Sequence, residues 1–204
     1  MVRQLLTMGS ALLIATAPAA AQDPAAPLAD PILTTNETFR ASIERIRGQS
    51  GLWSGAMAAI HARGGRVLIL TPDQVVVRAE ESRTESFDTT ELAEAAPVVG
   101  PGSTVGVVLV VVNLSLLESA HARRGATVRE IEADLDRILI HEVYGHAVPY
   151  LLAGDTSGRC ADPVPGQDPR RACSMRRENA VRAELGLGQR ADYTLSGLAL
   201  SGTR

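Results

Sequence analysis

Two histidines and a glutamate stand close together near residue 141, and these residue types commonly hold and use a zinc ion. The segment from His141 to His146 has the pattern His-Glu-x-x-x-His. Zinc hydrolases often take two histidine ligands and a general base from one helix, because the ligands must lie on one face and the glutamate must reach the metal-bound water. The segment therefore predicts a catalytic zinc site with His141 and His146 as ligands and Glu142 as the general base.

The spacing of the two histidines is one residue longer than the usual His-Glu-x-x-His. In a regular α-helix, at about 100° per residue, five steps separate two side chains by roughly 140°, and four steps by roughly 40°. A π-bulge would absorb the extra residue and return both imidazoles to one face. The local sequence allows one, because Gly145 gives the backbone freedom and Pro149 has no N–H to donate to the carbonyl of Gly145. We therefore predict a widened turn at this point.

A catalytic zinc site also needs a third protein ligand. Glu178 shares a helical face with Val181 and Leu185, which should point inward, and a carboxylate that faces a core requires a partner. Glu184 is the second candidate. An ion pair between Glu178 and Arg182, four residues apart, would satisfy the first carboxylate without a metal. The sequence leaves these alternatives open.

The helix that carries the histidines is the best-marked element of the chain. Thr127 and Glu130 have the spacing of a capping box, and apolar residues follow at helical intervals. We predict a helix from about residue 127 to 153. Glu178 would lie on a shorter helix over residues 175–185, with Ser174 as its N-cap.

A small β-sheet is expected to support the histidine helix. The apolar run Val105–Val112 predicts a buried strand, and residues 66–71 and 75–78 predict two strands around a turn. If Val105–Val112 lay at a sheet edge, its main chain could hold an extended substrate. The other predicted elements are a helix from residues 34–36 to 48, a helix over residues 52–62 and a solvated acidic segment over residues 80–94.

A second motif follows the His-Glu helix. After Ala147 and a Gly-rich loop, the chain reads Glu178-Asn179-x-x-Arg182-x-x-x-Gly186-Leu187-x-x-Arg190-x-x-Tyr193. Together the two motifs resemble the zinc metallopeptidase domains of bacterial toxins and effectors of the NleD-like kind. The likeness covers roughly residues 36–195 and is specific in the two motifs. That family usually has His-Glu-x-x-His, and the longer form resembles the His-Glu-x-x-Gly-His of dipeptidyl-peptidase III.

The resemblance implies the same two histidine ligands and the same general base, with Glu178 as the third ligand. Arg190 and Tyr193 match later positions of the family pattern. Either could donate a hydrogen bond to a developing oxyanion, as acyl-transfer sites require. Both could equally be packing or surface residues.

The N-terminus has the order of a secretory signal. Arg3 precedes an apolar stretch over residues 5–17, and small residues end at Ala21. We predict cleavage after Ala21 and export to the periplasm or out of the cell. Residues 22–33, rich in Ala, Pro and Asp, are predicted to be a flexible lead-in to one domain over residues 34–204.

Export bears on the two cysteines, Cys160 and Cys173. Thiolates are zinc ligands by type, but they are common in closed structural sites. An exported protein meets an oxidising compartment, where two cysteines can pair. We therefore predict a disulfide between Cys160 and Cys173 in preference to metal binding.

Composition excludes several classes of partner. The 204 residues are 45% hydrophobic and 3% aromatic, with a net charge of −3, which is typical of one globular domain. Nucleic acid is not an expected partner, because such binding needs clustered positive charge and usually stacking aromatics. Beyond the N-terminal segment no apolar run reaches the roughly 18–20 residues that span a bilayer, so no membrane span is expected in the mature form. Nothing in the sequence indicates an oligomeric state.

These observations predict a compact α+β domain of zincin-like architecture, with a small β-sheet packed on the active-site helix. The expected function is hydrolysis of peptide bonds in a protein or peptide substrate, with Zn²⁺ as cofactor. The alternative is a non-catalytic exported domain in which the same residues hold a structural metal ion or form a polar network.

Overall fold

The computed structural model describes residues 30–79, 92–99, 105–155, 157 and 169–190. The predicted signal peptide, most of the acidic segment, Cys160 and Tyr193 lie outside the described residues. The predictions made for them stay predictions.

Four strands form one sheet in the order β1-β2-β4-β3. The strands are β1 (Ile32–Leu33), β2 (Arg66–Leu70), β3 (Ala93–Val99) and β4 (Val105–Val112). The β2 strand pairs in parallel with β1 and β4, whereas β3 pairs with β4 in antiparallel register. Because β4 has a neighbour on each side, it is not the edge strand that could have held a substrate.

Helices cover the sheet and confirm the predicted α+β class. They are α1 (Glu37–Gln49), α2 (Gly51–Ala62), α3 (Pro72–Ala79), α4 (Leu114–Ala122), α5 (Val128–Leu139), α6 (Val148–Ala153) and α7 (Pro169–Glu184). A π-helical turn, Ile140–Ala147, joins α5 directly to α6, so the long helix predicted over residues 127–153 is confirmed. Within the described ranges, no helix combines the length and the apolar character needed to cross a bilayer.

One face of the sheet is buried against the helices, as the alternation of a strand requires. Its fully buried residues are Val67, Ile69, Val108, Val110 and Val112. Val143 and Ala147 of the π turn belong to the same apolar cluster. The π turn also packs against β3, β4 and α7. The sheet therefore supports the turn that carries the two histidines.

The predicted strand over residues 75–78 is wrong, because this segment is helical and lies in α3. Pro72 suits the first position of a helix, where its missing N–H leaves no donor unpaired. The Gln74 side chain accepts a hydrogen bond from the N–H of Thr71 at 3.0 Å, in the manner of a capping box. Val75 then packs on the second face of the sheet. These helix-start signals outweigh the β-branched composition.

Two predicted boundaries are also wrong. The flexible lead-in was expected to reach residue 33, but Ile32 pairs with Val67 and is buried in the core. The α7 helix begins at Pro169 instead of residue 175, so the expected N-cap, Ser174, lies inside it. A buried apolar contact extends the folded domain back to Ile32. A proline at the helix start extends α7 back to Pro169.

Replacing Ile32 by Ala should lower the free energy of unfolding by about 2–5 kcal/mol, because truncation of a buried side chain leaves a cavity. Leu33→Ala is the matched control, since Leu33 lies in the same short strand but is 48% exposed. Its cost should stay within about 0.5 kcal/mol. Chemical denaturation measures both values, and equal costs would mean that residues 30–33 do not belong to the core.

Candidate metal centre

The π turn begins where a well-capped helix ends. At the start of α5, the Thr127 side chain accepts from the N–H of Glu130, and the Glu130 side chain accepts in return from the N–H of Thr127. At the end of the π turn, the N–H of Val148 donates to the carbonyl of Val143, five residues back. A bond over five residues accommodates one extra residue per turn. The predicted widened turn is therefore confirmed.

Gly145 and Pro149 explain why the helix widens at this point. A Cβ atom on Gly145 would lie 3.2 Å from the carbonyl oxygen of Ser174, so any other residue would push α7 away by a few tenths of an ångström. Pro149 has no N–H to offer to the carbonyl of Gly145. That carbonyl accepts instead from Nη1 of Arg177, on α7, at 3.1 Å.

The π turn brings the two imidazoles together. The Nε2 atoms of His141 and His146 are 3.3 Å apart, and the two rings meet edge to face. Two nitrogen ligands at 2.0–2.1 Å from a tetrahedral zinc lie about 3.3–3.4 Å from each other. The separation of the Nε2 atoms therefore fits a shared zinc ion.

Glu178 lies against the opposite nitrogen of His141. Its Oε2 is 2.9 Å from Nδ1 of His141, and an ionised carboxylate only accepts, so Nδ1 is the donor. In the neutral imidazole, this hydrogen bond leaves the lone pair of His141 on Nε2, which faces His146. A carboxylate in this position is the usual outer partner of a metal-bound histidine.

The predicted role of Glu178 as third ligand is not favoured by this arrangement. Its carboxylate and the two Nε2 atoms lie on different sides of the His141 ring. Among the described residues, no group of three or more His, Cys, Asp or Glu side chains is placed to hold a metal ion. The described residues thus bring together two imidazoles of the type that can ligate zinc, whereas a catalytic zinc site needs three protein ligands.

Glu178 is fully buried and is held by two arginines. Nη1 of Arg182 lies 3.1 Å from Oε1, which is the ion pair that the sequence offered as an alternative. Nη1 of Arg190 lies 3.0 Å from Oε2. Arg190 therefore contacts Glu178. This contact does not support the oxyanion role that was predicted for Arg190.

Asn179 explains how a residue beyond α7 reaches this cluster. Its side-chain amide donates to the carbonyl of Arg190 at 2.9 Å and accepts from the N–H of Arg190 at 2.8 Å. The pair of bonds fixes the backbone at Arg190, so that its guanidinium reaches Glu178. The spacing of Glu178, Asn179 and Arg190 in the sequence thus reflects one connected structure.

The electrostatics favour a neutral His146 and an ionised Glu178. Burial, followed by the charges of His141 and Arg177, lowers the pKa of His146 from 6.5 to about 4. Burial acts to raise the pKa of Glu178, but the hydrogen bond and charge of His141, with Arg190, outweigh it and the pKa is lowered. A metal-ligating histidine must be neutral, and His146 meets this condition near pH 7.

Glu142 follows His141 in the π turn and is buried, with 8% of its surface exposed. The structure therefore places the predicted general base in the same turn as the two histidines. Tyr193, the other predicted oxyanion donor, lies outside the described residues. Cys173 is buried, and the described residues include no free thiol, but the disulfide to Cys160 stays a prediction because Cys160 lies outside them.

Glu184, the second candidate for the third ligand, has a different role. Its Oε2 accepts from the hydroxyl of Ser50 at 2.5 Å and from the N–H of Leu52 at 3.0 Å. These bonds lower the pKa of Glu184 and cap the start of α2. These contacts give Glu184 a capping role and do not support it as a metal ligand.

Arg177 is the residue of the site that sequence reasoning missed. A signal for it was present, because a proline four residues after Gly145 removes the α-helical donor of the Gly145 carbonyl. The identity of that donor could not be read from helix periodicity, since it lies on a separate element 32 residues further along the chain.

The chain matches no protein-family model and no curated protein. The fold and the site define an α+β domain with a paired-histidine centre. The resemblance to NleD-like domains therefore depends on the two sequence motifs alone.

Gly145→Ala should lower the free energy of unfolding by about 1–3 kcal/mol, because the added methyl group crowds the backbone and Cβ of Ser174. Gly55→Ala in α2 is the control, since a Cβ there meets nothing within 4 Å. That variant should be neutral or more stable by up to about 1 kcal/mol. Chemical denaturation compares the two, and an unchanged stability for Gly145→Ala would contradict the close packing described.

Proposed function

We propose that this protein is a zinc-dependent peptidase in which His141 and His146 bind the metal ion and Glu142 is the general base. The observation that carries the proposal is the 3.3 Å between the two Nε2 atoms across the π turn. A regular helix would hold these side chains apart. The sequence motif and the paired imidazoles therefore point to the same chemistry.

Zinc, when bound, polarises the carbonyl of the scissile peptide and makes water a better nucleophile near neutral pH. Glu142 would accept a proton from the attacking water on a carboxylate oxygen and deliver it to the leaving amine nitrogen. No covalent intermediate with the protein is required. The burial of Glu142 limits competition from bulk water for that proton.

Glu178 would act through His141. Its hydrogen bond to Nδ1 sets the tautomer and the ring orientation, and its charge makes the imidazole a stronger ligand. Arg182 and Arg190 hold the Glu178 carboxylate in place. These three residues are therefore positioning residues in the proposed enzyme.

The proposed substrate is a protein or peptide, which is what the resemblance to NleD-like metallopeptidases implies. The predicted signal peptide would place the reaction in the periplasm or outside the cell.

A second candidate is a non-catalytic exported domain with a buried polar network. It is favoured by the observation that protein groups alone satisfy Glu178, through His141, Arg182 and Arg190. In such a domain Glu142 would have no chemical role.

Glu142→Gln separates the two candidates. The wild type should contain about one zinc ion per chain and cleave an unfolded casein substrate. The variant should keep its zinc and lose at least about 10²-fold in rate, because an amide cannot serve as a general base. Elemental analysis measures the metal, and release of labelled casein fragments measures the rate.

Glu37→Gln is the matched control, because Glu37 is an exposed glutamate on α1 and should leave the rate unchanged. Equal cleavage by wild type and Glu142→Gln, or a wild type that holds no metal, would exclude the proposed peptidase.

Glu178→Gln tests the positioning role. Loss of an outer carboxylate partner should weaken zinc binding by about 10- to 100-fold while the visible spectrum of the Co²⁺ form stays the same. Glu184→Gln, on the same helix, should bind metal like the wild type. Competition with a chelator measures the affinity. A changed Co²⁺ spectrum would show instead that Glu178 is a direct ligand, and an unchanged affinity would exclude both roles.

A further inference from the structure

The carbonyl of Gly145 lacks its α-helical hydrogen-bond donor in the helix that carries the histidines. In an α-helix it would accept from the residue four positions later, which is Pro149 and has no N–H. Gly145 is buried, and α7 lies against it at Ser174. Loss of the α-helical donor leaves a buried carbonyl less well satisfied, so a donor from another element would stabilise it.

Arg177 supplies that donor. Its Nη1 donates to the Gly145 oxygen at 3.1 Å, across 32 residues of sequence. The guanidinium is long enough to reach the carbonyl from α7, and a charged donor makes a stronger bond than a neutral one. We propose that Arg177 is a positioning residue that stabilises the π turn and thereby places His146 opposite His141.

Arg177 and Glu178 are consecutive residues of α7, and each contacts a different part of the centre. Glu178 holds the ring of His141 through Nδ1, whereas Arg177 holds the backbone carbonyl directly before His146. One rigid helix thus fixes both halves of the histidine pair. A shift of α7 would change the distance between the two Nε2 atoms.

The consequence for metal binding rests on the proposed function, but the consequence for the π turn does not. The N–H of Val148, which donates to Val143 over five residues, is a reporter of the turn that needs no metal. Hydrogen exchange of this amide in the metal-free full chain tests the structural part. Binding of Co²⁺, followed by its visible spectrum, tests the functional part.

Three variants make the experiment specific. Arg177→Ala removes the donor, Arg177→Lys restores a positive donor, and Arg176→Ala removes the exposed neighbouring arginine as a control. In Arg177→Ala we expect exchange of the Val148 amide to become at least about tenfold faster. We also expect Co²⁺ affinity to fall by at least about tenfold, with a changed spectrum, because the ligand geometry is altered.

Arg177→Lys should recover part of both losses, and Arg176→Ala should match the wild type. A general loss of structure would instead accelerate exchange throughout the sheet, so the amide of Val110 in β4 serves as an internal reference. If exchange of the Val110 amide accelerates as much as exchange of the Val148 amide, the positioning role of Arg177 is overturned.

The outcomes separate the two proposals. A wild type that binds no Co²⁺, together with faster Val148 exchange in Arg177→Ala, would reject the proposed enzyme and leave the role of Arg177 in the turn intact. Unchanged Val148 exchange and unchanged Co²⁺ binding in Arg177→Ala would reject the inference about Arg177 whatever the activity of the protein.

Discussion

The structure of the centre depends on one widened turn of helix, in which backbone hydrogen bonds close over five residues instead of four. Without it, His141 and His146 would lie on different faces of the helix. The turn is stable because the elements packed against it accommodate its shape. Gly145 allows the close approach of α7, and the capping box at Thr127 fixes the start of the helix that leads into it. The sheet then supports the same turn through Val143 and Ala147.

A buried carboxylate is the second constraint. Glu178 is withdrawn from water, and its charge is tolerated because a histidine and two arginines surround it. Removing any one of these groups would cost the buried carboxylate a hydrogen bond, so together they favour one arrangement of α7 against the π turn. The last residue of α7 is attached as well, because Glu184 accepts hydrogen bonds from Ser50 and Leu52 at the start of α2. The C-terminal half of α7 is thus held at two places.

Much of the fold and the pairing of the histidines could be predicted from local patterns. Three local patterns predicted what the structure contains: the apolar run of β4, the capping box of α5 and the glycine before His146. Prediction failed where a partner far along the chain decides the outcome. Val75 lies in a helix despite its β propensity, and Ile32 joins a sheet that only tertiary contacts create. Periodicity placed Glu178 on an inward face, but it could not indicate which nitrogen of His141 the carboxylate contacts.

The π turn has a consequence for how this domain can change. An extra residue in a regular helix rotates everything that follows by about 100°, which would turn the apolar side of the downstream segment toward solvent. Here the surplus is absorbed within eight residues, and α6 continues with Leu151 still in the core. An additional residue between the two histidines can therefore be accommodated while the helical segments on both sides of the turn keep their apolar faces toward the core.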